Sequence, residues 1–198
     1  MHRETPPESP LFGYLTVVDD PAHGSCGGYL VLNEQGRPIE FHCTAPVTPS
    51  RAQQILYGPT LRASLYGEQV GPALIEKAKS PVSIVLVNQP ECLELQHNTG
   101  QPVVLIDEAR SGATGSASAF SKVRGTGIAS GAPQLTLFPE LLDEIRLIST
   151  EGDEEIERLL ELLARSIDLA EPFERIREAI FEAQQVGGEG QGSDERAA

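Results

Sequence analysis

Two short apolar runs constrain the fold of this chain more than any other feature. Val82–Val87 and Val103–Ile106 are rich in β-branched and aliphatic residues, and a proline precedes each run. Such short, continuously apolar runs are typical of strands that are buried on both faces of a parallel sheet. Parallel strands need a crossover between them, so the two runs predict an α/β fold with helices packed on the sheet.

An antiparallel hairpin is expected before these runs. Leu11–Val18 is rich in aromatic and β-branched residues and stops before Asp19, which predicts a first strand that ends in a turn. Gly27–Leu32 and Pro38–Thr44 flank a short turn in which Gly36 can adopt the left-handed conformation. The expected sheet is therefore mixed, with an N-terminal antiparallel hairpin joined to a short parallel βαβ segment.

Capping residues predict the helices that surround the sheet. A helix is expected to begin at Thr48 and to end at Gly58, and Thr60 to open a longer helix that ends near residue 79. Asn88 is expected to cap a two-turn helix over Pro90–His97. The helices around the sheet are thus predicted mainly from their ends.

A pair of amphipathic helices is expected at the C-terminal end, joined across residues 168–171 as an αα-hairpin. Apolar side chains recur at helical spacing in both halves, and Pro172 suits the first turn of the second helix. The predicted inner positions are Ile156, Leu159, Leu160, Leu163 and Ile167 in the first helix, and Phe173, Ile176, Ile180 and Ala183 in the second.

Composition predicts how these elements are divided along the chain. Residues 1–10 and 187–198 lack apolar periodicity and are expected to be disordered. Residues 11–148 are expected to form an α/β domain with a flexible Ser/Gly-rich loop near 110–133, and residues 149–186 an acidic helical pair.

Charge and composition disfavour several classes of function. The formal net charge of the 198 residues is −14, which disfavours general binding to nucleic acid or to an anionic membrane. No run approaches the roughly 18 apolar residues of a membrane span, and the N-terminus lacks the apolar core of a signal peptide. Three cysteines without C-x-x-C spacing favour a reducing, cytoplasmic location. Phosphate-loop and common hydrolase motifs are absent, so no cofactor is expected.

Acidic side chains concentrate in the predicted helical pair, with eleven acids and four arginines between residues 151 and 182. Glu174, Glu178 and Glu182 repeat every four residues and so form a stripe along one helix face. Such a stripe is either a solvated face or a docking surface for a basic partner or a second copy. The first hypothesis is therefore a non-enzymatic interaction or regulatory protein that acts through protein–protein contacts.

The alternative hypothesis is an enzyme that uses carboxylates at the ends of the strands. Asp19 and Asp20 end the first strand, and Asp107 follows the last buried run. Over residues 11–107 the element order resembles the ribonuclease H-like and actin-like ATPase folds, which implies a first-strand aspartate that helps to bind magnesium and action on nucleic acid. The chain departs from that pattern at Asn88, where the nucleases usually offer a carboxylate, and no Gly-rich phosphate loop follows Asp20.

A thiol or zinc site built from Cys26, His42 and Cys43 is a third hypothesis. Strand alternation, however, places Ile39, Phe41 and Cys43 on one face, and Glu40, His42 and Thr44 on the other. The pattern predicts that Cys43 is a buried, unreactive core residue. The polar face is expected to be solvated, with a small hydrogen-bonding row as the alternative.

Overall fold

The structure is a computed structural model that describes residues 9–106, 120–121 and 151–189 of the chain. Asp107, most of the predicted loop near 110–133 and most of the two predicted tails lie outside the described residues.

One mixed sheet forms the centre of the fold. Its strands are β1 Phe12–Asp20, β2 Gly24–Leu32, β3 Pro38–Cys43, β4 Ile84–Val87, β5 Val103–Ile106 and β6 Phe120–Ser121. They lie in the order β3-β2-β1-β4-β5-β6. The hairpin strands β1, β2 and β3 pair antiparallel, β1, β4 and β5 run parallel, and β6 pairs antiparallel with β5. The predicted fold class, with its N-terminal hairpin and parallel segment, is confirmed; β6 was not predicted.

The helical segments between β3 and β5 are, in chain order, α1 Arg51–Tyr57, a 3-10 turn Gly58–Thr60, α2 Leu61–Ala63, a π-helical segment Ser64–Val70, α3 Gly71–Lys77 and a 3-10 helix Pro90–His97. The segments from Ser64 onward pack on one face of the sheet, where their buried side chains form a cluster with Leu15, Val31 and Val85.

Three details of these helices differ from the sequence prediction. α1 is capped by Ser50 rather than Thr48, because Ser50 and Gln53 form a reciprocal capping box while the Thr48 hydroxyl donates to the His23 carbonyl. The predicted continuous helix after Thr60 contains a π-helical segment, which ends where the Gly71 amide donates to the Tyr66 carbonyl. Gln89, not Asn88, is the N-cap residue of the 3-10 helix.

Two helices, α4 Glu151–Ala164 and α5 Glu171–Glu189, pack on the other face of the sheet. α5 crosses β1 and β2, with the rings of Phe173 and Tyr14 edge to face at 5.1 Å. Gly28 allows this close approach, because a Cβ atom there would overlap the Ile176 side chain. The helix also runs through residues 187–189, which the sequence assigned to a disordered tail.

The predicted inner positions of α4 and α5 are largely confirmed. Ile156, Leu160, Leu163, Phe173, Ile176 and Ile180 are buried in one cluster with β1, β2, β4 and β5 side chains. Ala183 is exposed, contrary to the prediction. The last two helices therefore share a core with the sheet.

The edge strand β3 is less covered than its alternation predicted. Ile39 is 51% and Phe41 38% exposed, and Cys43 is only partly buried. α5 packs over β1 and β2 and so leaves this side of β3 open. The prediction that Cys43 is a buried core residue is therefore wrong, because position in the sheet, not alternation, decides which strand a helix covers.

Among the residues that the structure describes, every helix is too short or too polar to cross a bilayer.

Candidate functional site

Asp19 lies at the carboxyl end of the central strand β1, where an α/β sheet commonly places its ligand site. Its Oδ1 atom accepts a hydrogen bond of 2.7 Å from the Ser25 hydroxyl. Its Oδ2 atom accepts from the Tyr66 hydroxyl at 2.6 Å and from the Arg62 guanidinium at 2.7 Å. Both carboxylate oxygens are thus already engaged by protein donors.

These partners control the protonation of the Asp19 cluster, which we define as Asp19, Ser25, Arg62 and Tyr66. Burial by itself raises the pKa of Asp19, but hydrogen bonds from Tyr66 and Ser25, together with Arg62, outweigh it and lower the pKa. Burial and the hydrogen bond to Asp19 raise the pKa of Tyr66 above its ordinary value. The cluster therefore holds an ionised carboxylate and a neutral phenol.

Asp20, the second predicted carboxylate, serves the turn that follows β1. Its Oδ1 atom accepts backbone hydrogen bonds from Ala22 at 2.7 Å and from His23 at 3.0 Å. The hydrogen bond from Ala22 is the main reason that the pKa of Asp20 is lowered. This local pattern is that of an Asx turn.

The two residues after β4, Asn88 and Gln89, are amides rather than carboxylates, and Gln89 has a structural role. Gln89 Oε1 accepts from the Val17 amide, and Gln89 Nε2 donates to the Val17 carbonyl, both at 2.8 Å. The side chain thereby satisfies the β1 backbone beyond Leu15, the last β1 residue paired with β4. The Gln89 side chain thus adds one more pair of hydrogen bonds to the edge of β1, in the place of a β4 backbone residue. Its sequence position alone did not reveal this role.

The hydrogen-bonding row on the polar face of β3, which the sequence offered as the alternative to a solvated face, is present in part. Glu40 Oε1 lies 2.5 Å from His42 Nε2, and the Glu40 carboxylate accepts from the amides of Lys79 and Ser80 at 3.0–3.1 Å. The hydrogen bond with His42, followed by those from Lys79 and Ser80, lowers the pKa of Glu40 to about 2. The row joins β3 to the segment between α3 and β4.

The thiol or zinc hypothesis is not supported by the positions of its residues. Cys26 is buried with Sγ 3.0 Å from the Thr44 carbonyl, and burial raises its pKa. His42 pairs with Glu40, which the strand alternation places on the face opposite Cys43. Within the described residues no group of three or more His, Cys, Asp or Glu side chains could hold a metal ion.

The acidic stripe of α5, defined by Glu174, Glu178 and Glu182, is exposed as its spacing predicted. Glu174 pairs with Arg177 at 3.0 Å. Phe181 is 60% exposed and stands three residues after Glu178, so it lies beside the stripe. Sequence reasoning missed Phe181, although its position outside the 173-176-180 pattern was the available signal.

Comparison with known proteins gives little further information. No family model matches the chain, and no curated protein matches it. A solved structure of Ciona intestinalis endonuclease V (D234N), in complex with an inosine-containing 23mer DNA, is similar at 13% identity and a TM-score of 0.26. The match covers 54% of this chain and 51% of that one, so it spans about half of the endonuclease chain. A likeness this small carries no argument about fold or function.

Proposed function

We propose that this protein is an interaction or regulatory protein that docks a partner on the acidic stripe of α5. The observation that carries the proposal is Phe181, a large aromatic side chain that is 60% exposed among exposed glutamates. Aromatic side chains are enriched at protein interfaces, where a buried ring supplies much of the binding energy. The stripe would supply charge complementarity and Phe181 the apolar anchor.

The chemistry of the stripe specifies a basic partner. Like charges at i and i+4 cost a few tenths of a kcal/mol per pair, a cost that an opposing Lys or Arg removes. α5 is held to the sheet by Phe173, Ile176 and Ile180, so its outer face is presented on a rigid element. A partner with a basic surface and a pocket for one aromatic ring fits this arrangement.

A magnesium-dependent enzyme of ribonuclease H-like type is the second candidate, because Asp19 lies at the carboxyl end of the central parallel strand. The contacts of Asp19 weigh against it. Arg62 places a positive charge 2.7 Å from Oδ2, where a metal ion would experience repulsion, and Ser25 and Tyr66 already donate hydrogen bonds to Oδ1 and Oδ2. Metal-dependent cleavage of DNA or RNA that Asp19→Asn abolishes would favour this candidate.

The proposed location is the cytoplasm. Cys26, Cys43 and Cys92 are all free thiols, and Cys26 and Cys92 are buried in the core. Free thiols persist most readily in a reducing compartment.

The experiment that tests the docking proposal is a capture assay from native extract with charge-matched baits. We expect the double variant Glu174→Lys with Glu178→Lys, and separately Phe181→Ser, to lose captured proteins that the wild type retains. The matched control is Glu154→Lys with Glu161→Lys, which changes the net charge equally on exposed positions of α4. Capture should weaken as salt rises, because exposed charges are screened. An identical set of captured proteins for all baits would refute the proposal.

A further inference from the structure

Helix α1 contributes no buried side chain to the core. None of its seven residues is buried, and Ile55, Leu56 and Tyr57 are 66%, 82% and 42% exposed. Local signals define its ends: the Ser50–Gln53 capping box begins it, and Gly58 with φ +49° ends it. α1 is thus a capped helix with three consecutive apolar side chains in water.

The exposed apolar side chains of such a helix are expected to pack against another protein surface. Isolated helices shorter than about 12 residues are marginal in water, because packing of an apolar face supplies most helical stability. Three consecutive side chains cover about 200° of the helix circumference. A single neighbouring residue cannot contact so wide an apolar surface. A large exposed apolar surface of this kind is typical of a protein–protein contact.

Charge indicates what covers α1. Between Glu40 and Glu68 the sequence contains no acidic residue, and α1 begins with Arg51. The chain as a whole carries −14, so a basic and apolar helix within it is unusual. The acidic stripe of α5, with Phe181 beside it, offers the complementary charge and a matching apolar group.

The fold brings α1 and the second half of α5 to the same end of the sheet. α1 follows Val47, which pairs with Ser25, and Ser25 lies opposite Asp19 at the end of β1. α5 runs from Tyr14, which Phe173 contacts, past Gly28, which Ile176 and Ile180 approach, so its second half lies towards the Cys26 end of β2. α1 leads into the helices of one sheet face, whereas α5 covers the other.

We infer that α1 docks on the acidic stripe of α5 in a second copy of this chain. Because both elements lie at one end of the sheet, a twofold axis there would make the contact twice, α1 of each copy against α5 of the other. Leu56 and Tyr57 would pack on Phe181, and Arg51 would face the glutamates. The inference rests on the proposed docking role of the stripe and names its partner.

Sedimentation velocity on the full chain tests this inference between about 1 and about 100 µM, where modest interfaces dissociate. We expect a concentration-dependent dimer, which Leu56→Glu weakens by about tenfold or more. The matched control is Ile39→Glu, an exposed apolar position on the edge strand β3, which should leave the dimer intact. Circular dichroism and the thermal midpoint check that both variants fold. A wild type that stays monomeric throughout the range would overturn the inference.

Mixing two defective variants tests the pairing itself. Leu56→Glu lacks a functional α1, and Glu174→Lys with Glu178→Lys lacks a functional stripe, so each alone should be monomeric. In a mixture, the intact α1 of one chain can meet the intact stripe of the other, and we expect a heterodimer that retains one of the two contacts. Failure of the mixture to associate would show that α1 does not dock on α5.

Hydrogen exchange separates failure of this inference from failure of the proposed function. We expect the α1 amides to exchange more slowly when the concentration rises. Slow exchange in a monomer would place another part of the same chain over α1 and overturn the inference. If the protein stays monomeric while the stripe still captures a foreign partner, only this inference fails. If neither association depends on the stripe, both fail.

Discussion

Asp19 and the glutamates of the α5 stripe carry the same charge, yet their oxygens contact very different groups. The Asp19 carboxylate accepts from Ser25, Tyr66 and Arg62, whereas Glu174, Glu178 and Glu182 point outward from the sheet. The Asp19 cluster ties a helix to the hairpin. The given contact of the stripe is local, between Glu174 and Arg177 on the same helix, so the stripe does not join α5 to another element as Asp19 joins its neighbours.

The largest expected effect on stability comes from introducing a carboxylate on the buried face of α5, opposite to the stripe. Ile176 is fully buried against β1 and β2 side chains. We expect Ile176→Asp to lower the free energy of unfolding by about 4 kcal/mol or more, because it buries an unpaired charge. Chemical denaturation measures the change, and Glu178→Asp on the outer face is the control. A small loss would mean that α5 is not packed on the sheet.

Removal of the Asp19 carboxylate should have the next largest effect. Asp19→Ala leaves Tyr66, which is buried, without its acceptor, and we expect a loss of about 1–3 kcal/mol. Because the Asp19 side chain is 40% exposed, we expect the lower half of that range. Asp20→Ala, which removes only a turn contact, should cost less in the same denaturation experiment.

Magnesium provides a second measurement on the same carboxylate. If Asp19 is structural, millimolar Mg²⁺ should leave the thermal midpoint of the wild type unchanged. A ligand that binds only the folded state stabilises it by RT ln(1 + [L]/Kd), so binding would raise the midpoint. A rise in the midpoint that disappears in Asp19→Asn would show that Asp19 binds magnesium, and it would favour the enzyme hypothesis.

A pH titration tests a third carboxylate, Glu40, which accepts hydrogen bonds from other elements of the protein as Asp19 does. Its pKa is lowered from 4.5 to about 2, so its contribution to stability is complete above pH 4.5 and is lost as pH falls towards 2. We expect Glu40→Gln to reduce the free energy of unfolding at neutral pH. The variant should also lose less stability than the wild type as the pH falls from 4.5 to about 2. Denaturation midpoints from pH 6 to about 2 measure it. Glu34→Gln serves as the control, and equal acid curves for both variants would contradict the role of Glu40.

The smallest effect on stability is expected at the stripe. Glu174→Lys with Glu178→Lys should change the free energy of unfolding by no more than about 0.5 kcal/mol, because surface substitutions usually stay within that range. Thermal and chemical denaturation measure the change. A large loss of stability would show that the stripe supports the fold, and it would remove the contrast with Asp19.

The elements whose apolar pattern extends over several residues were predictable from the sequence. β4 and β5 are fully buried, as their continuous apolar runs indicated, and Gly36 closes the hairpin with φ +73°. The outward position of the stripe followed from the four-residue repeat. Contacts between distant residues were not predictable, because Arg62 and Tyr66 are 43 and 47 residues from Asp19.

The fold class, the buried strands and the exposed acidic face could be predicted from the residues alone, because each depends on a local period of side-chain polarity. Tertiary structure alone decided that Asp19 is engaged, that Gln89 completes the β1 backbone pairing, and that Ile39 and Phe41 are exposed. It also decided that α1 and the second half of α5 lie at one end of the sheet. Each of these outcomes depends on which elements become neighbours, and a one-dimensional pattern does not contain that information.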